Sequence, residues 1–146
     1  MSFQSEPGII RWRMRFASPP ENVFAALATD AGRESFWAES ASEANGMVTF
    51  HILGYEPFAG RILKRCEPES FCIEYFGTTV EFSLKNDGVG GTDLSLVATD
   101  VDESIRWEMT AGWVSVLMAM KAAVDHGIDL RNHDPARTWT NGYADN

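Results

Sequence analysis

Residues 102–127, DESIRWEMTAGWVSVLMAMKAAVDHG, carry the longest helical pattern of the chain. Apolar residues recur there at spacings of three and four, which predicts a continuous stripe along one face of a helix. This stripe consists of Trp113, Leu117, Met120 and Val124. A second stripe, expected to widen the buried sector, consists of Trp107, Ala111, Val114 and Met118. The helix is predicted to begin between Asp102 and Ser104 and to end at His126, because Gly127 suits a left-handed C-cap.

The residues before this helix alternate between apolar and polar side chains, as half-buried strands do. In the first segment Ile10, Trp12, Met14 and Phe16 share one face, and arginines occupy the other. Turn residues divide the remainder into further strands, which suits an antiparallel meander. The six predicted strands cover residues 9–16, 47–53, 57–65, 70–77, 79–85 and 92–99. The glycine-rich residues 88–91 are predicted to form a hairpin turn rather than a phosphate loop, because a strand follows them.

Two short helices are predicted between the first two strands. The sequence SPPE at residues 18–21 fits a capping box with proline in the first turn, so a helix should start here and run to about Thr29. Asp30 can cap a second helix that ends near residues 36–37. Residues 38–45 are polar and are predicted to form a loop.

The order of these elements predicts an α+β fold. A curved six-stranded antiparallel sheet would wrap around the long C-terminal helix, and the two short helices would close one end. Residues 1–130 are expected to form this single domain, since 146 residues suffice to enclose a core. Residues 131–146 are expected to form an irregular C-terminal tail, in which Trp139 and Tyr143 pack rather than hang free.

Charge and composition exclude several classes of protein. Lys and Arg number 12 against 21 Asp and Glu, and the formal charge of −9 repels phosphate backbones, so a nucleic-acid partner is not expected. The chain contains no apolar run of the roughly 20 residues that a membrane helix needs and no signal-peptide pattern. We therefore expect a cytoplasmic protein, either a monomer or a homodimer. In that reducing compartment Cys66 and Cys72 should be buried thiols rather than a disulfide.

Five segments of the sequence are similar to a known superfamily. They are residues 16–27 (FASPPENVFAAL), 36–37 (FW), 60–63 (GRIL), 91–96 (GTDLSL) and 112–113 (GW). In order and spacing they resemble the START-related helix-grip (SRPBCC) superfamily, and within it the branch named after the activator of the heat-shock-protein ATPase. The resemblance implies a helix-grip fold with an elongated apolar cavity between the long helix and the concave sheet. Ligand carriers, cyclases, resistance proteins and co-chaperones share that fold, so the fold does not settle function.

The geometry of the predicted fold leads to the same cavity. A strongly curved sheet cannot stay in contact with a straight helix along its whole length, so space opens at one end unless large side chains fill it. The alternative is that the aromatic side chains pack as a solid core. The side chains expected to line the cavity are Trp12, Met14, Phe36, Trp37, Phe50, Ile52, Phe58, Tyr75, Val80, Phe82, Leu94, Trp113, Leu117 and Met120.

The sequence gives no pattern that indicates a metal, a cofactor or a nucleophile. His51, His126 and His133 do not match metal-ligand spacing, and the Gly-x-Ser-x-Gly signature does not occur. His51 alternates with its apolar neighbours and should point away from the cavity. His126 suits a structural role as a cation at the helix C-terminus.

A carboxylate held in an apolar pocket could still act as a general acid or base. Glu74, Glu81 and Glu108 fall outside the apolar faces, so we expect them to be solvated. The favoured function is therefore binding of a small apolar or aromatic molecule, without catalytic residues. The alternatives are a co-chaperone-like module that binds a protein partner, and a cyclase- or hydrolase-like enzyme that acts on small aromatic substrates.

Overall fold

Seven strands form one antiparallel sheet in the part of the chain that the computed structural model describes, residues 3–146. The strands are β1 Ile10–Phe16, β2 Ser40–Ala44, β3 Met47–His51, β4 Phe58–Cys66, β5 Ser70–Tyr75, β6 Thr78–Asn86 and β7 Thr92–Thr99. Their spatial order is β1-β7-β6-β5-β4-β3-β2. From β2 onward each strand therefore pairs with the next along the chain, and β1 extends the sheet beside β7.

The described residues also form the helices α1 Pro20–Ala28, α2 Asp30–Glu34 and α3 Arg106–His126. The predicted end of the long helix is confirmed, because Gly127 adopts a φ of 64° and its N–H donates to the Ala123 carbonyl. A 3-10 turn at Glu103–Ile105 precedes α3, and the Asp102 carboxylate accepts the Ser104 N–H at 2.9 Å. The chain thus has a mixed α+β structure with a long C-terminal helix.

The number of strands differs from the prediction, because residues 38–45 contain β2 rather than a loop. This strand pairs with β3, with Ala41 opposite Phe50. Asn45 and Gly46 connect them in a two-residue turn with φ values of 52° and 77°, as a type I′ hairpin requires. The short polar sequence SASEA does not show the alternation that predicts a strand. The Asn45-Gly46 pair is the part of the sequence that indicates a hairpin here.

The start of α1 also differs from the prediction, because Ser18 does not cap this helix. Pro19 occupies the N-cap position and offers no side-chain acceptor. Ser18 donates instead from Oγ to Asp125 Oδ1 at 2.8 Å, and Asp125 also accepts the backbone N–H groups of Ala17 and Ser18. A carboxylate in the last turn of α3 therefore holds the beginning of α1 and joins the two helices.

The second apolar stripe of α3 is exposed, contrary to the prediction. Trp107 is 84% exposed, Met118 48% and Val114 41%. At about 100° per residue these positions lie roughly 100–140° around the helix from Trp113. The body of the domain covers the sector of Trp113 and Leu117, which are buried, and leaves this second sector in solvent.

Two further predictions, the burial of Cys66 and the packing of Tyr143, were wrong. Cys66 is exposed because it ends β4, while Cys72 is buried, and both are free thiols. Cys66 lies opposite Ser70 in the β4–β5 pair, so the two cysteines do not face one another. Tyr143 is 41% exposed, whereas Trp139 is half-buried.

Candidate ligand-binding site

A cavity of about 330 Å³ lies beside the N-terminal half of α3 and is partly open to solvent. The other walls come from the loop after β3, the β5–β6 hairpin and the C-terminal tail. Its lining consists of Trp37, Ile52, Tyr55, Tyr75, Phe76, Ile105, Glu108, Met109, Gly112, Trp113, Ser115, Val116, Trp139 and Asn146. Most of these side chains are apolar or aromatic, so the space can take an apolar occupant.

The structure brings some of the predicted lining residues to this cavity and leaves others in the core. Trp37, Ile52, Tyr75 and Trp113 lie on the cavity. The side chains buried in the core are Phe36, Phe50, Val80, Phe82, Leu94, Leu117 and Met120, while Trp12, Met14 and Phe58 are partly buried beside it. Phe36 also lines a smaller cavity of about 130 Å³. α1 contacts β5 and β6 on one side of the core, whereas the larger cavity lies beside the N-terminal half of α3.

Trp37 forms the base of the cavity. It follows α2, where its N–H donates to the Arg33 carbonyl at 2.8 Å, and its side chain is 4% exposed. The indole ring lies 5.2 Å from the Tyr75 ring and 6.0 Å from the Trp113 ring, centroid to centroid. Its Nε1–H makes no hydrogen bond of normal length and angle within residues 3–146, and its neighbouring acceptor is the Tyr75 hydroxyl. A buried donor without a partner costs about 1–3 kcal/mol, so an acceptor on a bound molecule would stabilise this site.

Two tyrosines supply hydroxyl groups to the same walls. Burial raises the pKa of the Tyr75 phenol well above its ordinary value. Burial also raises the pKa of Tyr55, and the charge of the Glu108 carboxylate raises it further. Both phenols therefore stay protonated at neutral pH and can donate a hydrogen bond to an occupant.

Glu108 lies on the cavity, although helical periodicity places it off the Trp113 stripe. The residue is exposed, as the sequence predicts. It is exposed at the mouth of the cavity. Its Oε1 accepts the Nε1–H of Trp139 at 3.1 Å. Periodicity within α3 could not identify this position, because the tail that completes the wall is remote in sequence.

The turn between β5 and β6 carries another lining residue that sequence reasoning missed. Phe76 has a φ of 48° and Gly77 a φ of 75°, so a bulky residue occupies the left-handed region that favours glycine. The Phe76 ring lies 4.2 Å from Phe58, 4.8 Å from Tyr75 and 5.2 Å from Tyr55, centroid to centroid. Ring packing offsets the backbone strain, and strain of this kind concentrates at ligand-contacting positions. Gly77 and Thr78 predict a turn between the two strands, but this placement is one residue late and leaves Phe76 in the strand.

The C-terminal tail closes one side of the cavity. A Cβ built on Gly112 would stand 3.9 Å from the Trp139 ring, so the indole lies against the helix backbone there. Thr138 is buried against Gly54 in the loop after β3. Ser115 Oγ donates to the Ala144 carbonyl at 2.6 Å. These contacts hold the tail between α3 and the β3–β4 loop.

Charged side chains attach the beginning of the tail to the body. Arg131 donates to the carbonyls of Glu34 and Ala38, the latter at 2.8 Å. His133 contacts Asp129 through Nε2 and Glu39 through Nδ1, each at 2.7 Å. Hydrogen bonds to Asp129 and then to Glu39 raise the pKa of His133, which favours the imidazolium form.

Residues 3–146 contain neither a membrane-spanning helix nor a metal-binding cluster. No helix there is both long enough and apolar enough to span a bilayer. The same residues contain no cluster of three or more His, Cys, Asp and Glu side chains that could hold a metal ion. His51 is exposed on β3.

Solved structures are similar to this chain, while no family model and no curated protein matches its sequence. A protein from Staphylococcus saprophyticus is 21% identical over 84% of this chain and 96% of its own, with a TM-score of 0.74. The Aha1 dimer from Colwellia psychrerythraea is 20% identical over 82% and 97%, with a TM-score of 0.73. CalU16 from Micromonospora echinospora is 26% identical over 75% and 71%, with a TM-score of 0.61. The first two likenesses show a shared fold, which is consistent with the helix-grip arrangement.

Proposed function

We propose that this domain binds a small apolar or aromatic molecule in the cavity beside α3. The observation that carries the proposal is the aromatic-lined space of about 330 Å³, whose base holds the indole of Trp37 with no well-formed hydrogen bond at its N–H. Pockets of this size with few polar groups are typical of small-molecule sites. The apolar walls would supply binding energy through buried area, and the Trp37 and Tyr75 donors would orient the ligand.

The raised pKa values argue against the phenols as general bases at this site. A general base must lose its proton near neutral pH, and burial shifts the pKa of Tyr75 in the opposite direction. Tyr55 is shifted the same way. The phenols therefore serve the proposal as hydrogen-bond donors.

Gly112→Phe is expected to weaken binding of the neutral fluorescent probe N-phenyl-1-naphthylamine by at least about tenfold, because the new ring would occupy the cavity. A Cβ at Gly112 meets Trp139 only at ordinary contact distance, so the helix can accept a side chain there. Fluorescence titration measures the affinity, and the probe should also raise the melting temperature of the wild-type protein.

Ala111→Phe is the matched control, since it adds the same ring to the exposed side of the same helix turn. It should leave probe affinity unchanged. Circular dichroism must show the same helix content in both variants. Equal probe affinity in Gly112→Phe and wild-type protein would place the probe elsewhere and contradict the proposed site.

A protein-binding function is the second candidate, and the exposed stripe of α3 favours it. We call this surface the Trp107 stripe; it consists of Trp107, Ala111, Val114 and Met118. An indole that is 84% exposed beside two half-exposed apolar side chains is unusual on a surface without a partner. The Colwellia psychrerythraea neighbour is a dimer, which supports a second copy of this chain as one occupant.

Trp107→Ser is expected to abolish self-association or partner capture, because an exposed central indole is typical of interface hot spots. Sedimentation velocity detects a second copy, and capture from cell extract detects another protein. Val89→Ser, which changes an exposed valine on the β6–β7 turn, is the control and should have no effect. Capture that is as strong with Trp107→Ser as with wild-type protein would contradict this function.

A further inference from the structure

The charges around the cavity have one sign. Of the described residues that line it, Glu108 carries the ionisable carboxylate, and none is Lys, Arg or His. The nearest cation along the helix, Arg106, is directed elsewhere: it donates to the carbonyls of Ile9 and Glu6 and to the Glu103 carboxylate. The formal net charge of −9 adds a long-range field of the same sign.

Aromatic rings surround the mouth of the cavity next to Glu108. Trp139 is joined to the carboxylate through its indole N–H at 3.1 Å. The Tyr55 and Phe76 rings lie 5.2 Å apart, and Phe76 is 40% exposed, so this part of the wall is accessible. Burial raises the pKa of Tyr55 and the Glu108 charge raises it further, which is consistent with a carboxylate on the same wall as this ring.

Deeper in the cavity the rings of Trp37, Tyr75 and Trp113 are inclined to one another rather than stacked in parallel. The Trp37 and Tyr75 planes are inclined by 54°, Tyr75 and Trp113 by 50°, and Trp37 and Trp113 by 60°. These three rings are 2–8% exposed, so they offer an occupant an apolar wall rather than open π faces. The more exposed rings of Phe76 and Trp139 at the mouth can attract a cation that lies within about 6 Å of a ring face.

We propose that the cavity selects an organic cation, an ammonium or quaternary ammonium group attached to an apolar or aromatic body. The cationic head lies at the mouth beside Glu108 and the rings of Tyr55, Phe76 and Trp139. The body lies inside, among Tyr75, Trp113 and Trp37, where an acceptor on the ligand can receive the Trp37 N–H. This inference rests on the proposed function, because it names the class of ligand that the same cavity takes.

Two probes of the same shape test the charge preference: phenyltrimethylammonium and its neutral analogue tert-butylbenzene. Each is titrated against the protein loaded with N-phenyl-1-naphthylamine, and displacement gives its affinity. The cation is expected to bind roughly tenfold more tightly than the hydrocarbon. In Glu108→Gln this ratio is expected to fall to about threefold or less, with the affinity for tert-butylbenzene unchanged. Glu81→Gln, an exposed carboxylate on β6, is the matched charge control and should keep the full ratio.

The outcomes separate this inference from the proposed function. Equal affinity for the two probes overturns the cation preference and leaves binding of apolar molecules in place. A preference that survives unchanged in Glu108→Gln also overturns the inference, because the protein's general charge would then explain it. Failure of N-phenyl-1-naphthylamine itself to bind, in wild-type protein, overturns both.

Discussion

Arg33→Ala is expected to lower the free energy of unfolding by about 3–5 kcal/mol, because two buried carbonyls lose their donors and a large buried side chain is removed. The Arg33 side chain is 0% exposed. Its guanidinium donates to the Leu27 carbonyl at 2.9 Å, the Ala41 carbonyl at 3.0 Å and Asp30 Oδ1 at 2.6 Å. Alanine would leave the two buried carbonyls without these donors and open a cavity.

The three acceptors belong to different elements, which explains the size of the expected effect. Leu27 lies in α1, Asp30 begins α2 and Ala41 lies in β2, so one side chain joins both helices to the edge strand. Asp30 Oδ1 also accepts the backbone N–H of Glu43 at 3.0 Å. Burial lowers the pKa of Arg33, yet an arginine remains charged at neutral pH. The charge must therefore stay paired in the folded protein.

Urea unfolding at pH 7 measures the loss. Arg33→Lys should also be destabilised, because one ammonium nitrogen cannot replace a planar fork that reaches three separate acceptors. Arg13→Ala, an exposed arginine on β1, is the control and should change stability by no more than about 0.5 kcal/mol. A stability of Arg33→Ala within about 1 kcal/mol of wild type would contradict the role assigned to this network.

The sequence predicts those parts of the fold that depend on local pattern. The end of α3 follows from Gly127, and the strands from β3 to β7 follow from alternation between turn residues, whereas the start of α3 predicted at residues 102–104 falls on the 3-10 turn before the helix. β2 could not be predicted in this way, because its stability comes from pairing with β3 and from the Arg33 network. Neither contact produces an apolar pattern in SASEA. Local periodicity shows whether a residue's own side chain is apolar or polar. It does not show which distant residue packs against that side chain.

The candidate site shows the same limit. Tyr75 and Trp113 could be predicted because an inward aromatic position on a strand or helix is a local property, and Trp37 because it belongs to the aromatic pair on which the resemblance rests. The Trp107 stripe has equally good periodicity, but Trp107 is 84% exposed and the described residues cover Val114 and Met118 only in part. Glu108, Phe76 and Trp139 could not be predicted as neighbours, since a helix, a turn and the tail must meet before they share a cavity.

Removal of residues 131–146 is expected to lower the free energy of unfolding by about 2–4 kcal/mol, from uncovered apolar surface less the chain entropy regained. Arg131 is the first anchor lost, and its side chain is 7% exposed where it reaches the carbonyls of Glu34 and Ala38. Thr138 is buried, and Trp139 covers Gly112 on α3.

Chemical unfolding of the protein ending at Leu130 measures this loss, and Tyr143→Ala provides the control. Tyr143 is 41% exposed, so its truncation should cost less than about 1 kcal/mol. Trp139→Ala should account for a large share of the deletion's effect, because burial of a tryptophan contributes roughly 2–3 kcal/mol and this one is half-buried. If the shortened protein unfolds at the same urea concentration as the full chain, the tail contacts contribute no stability, and its role is confined to the wall of the cavity.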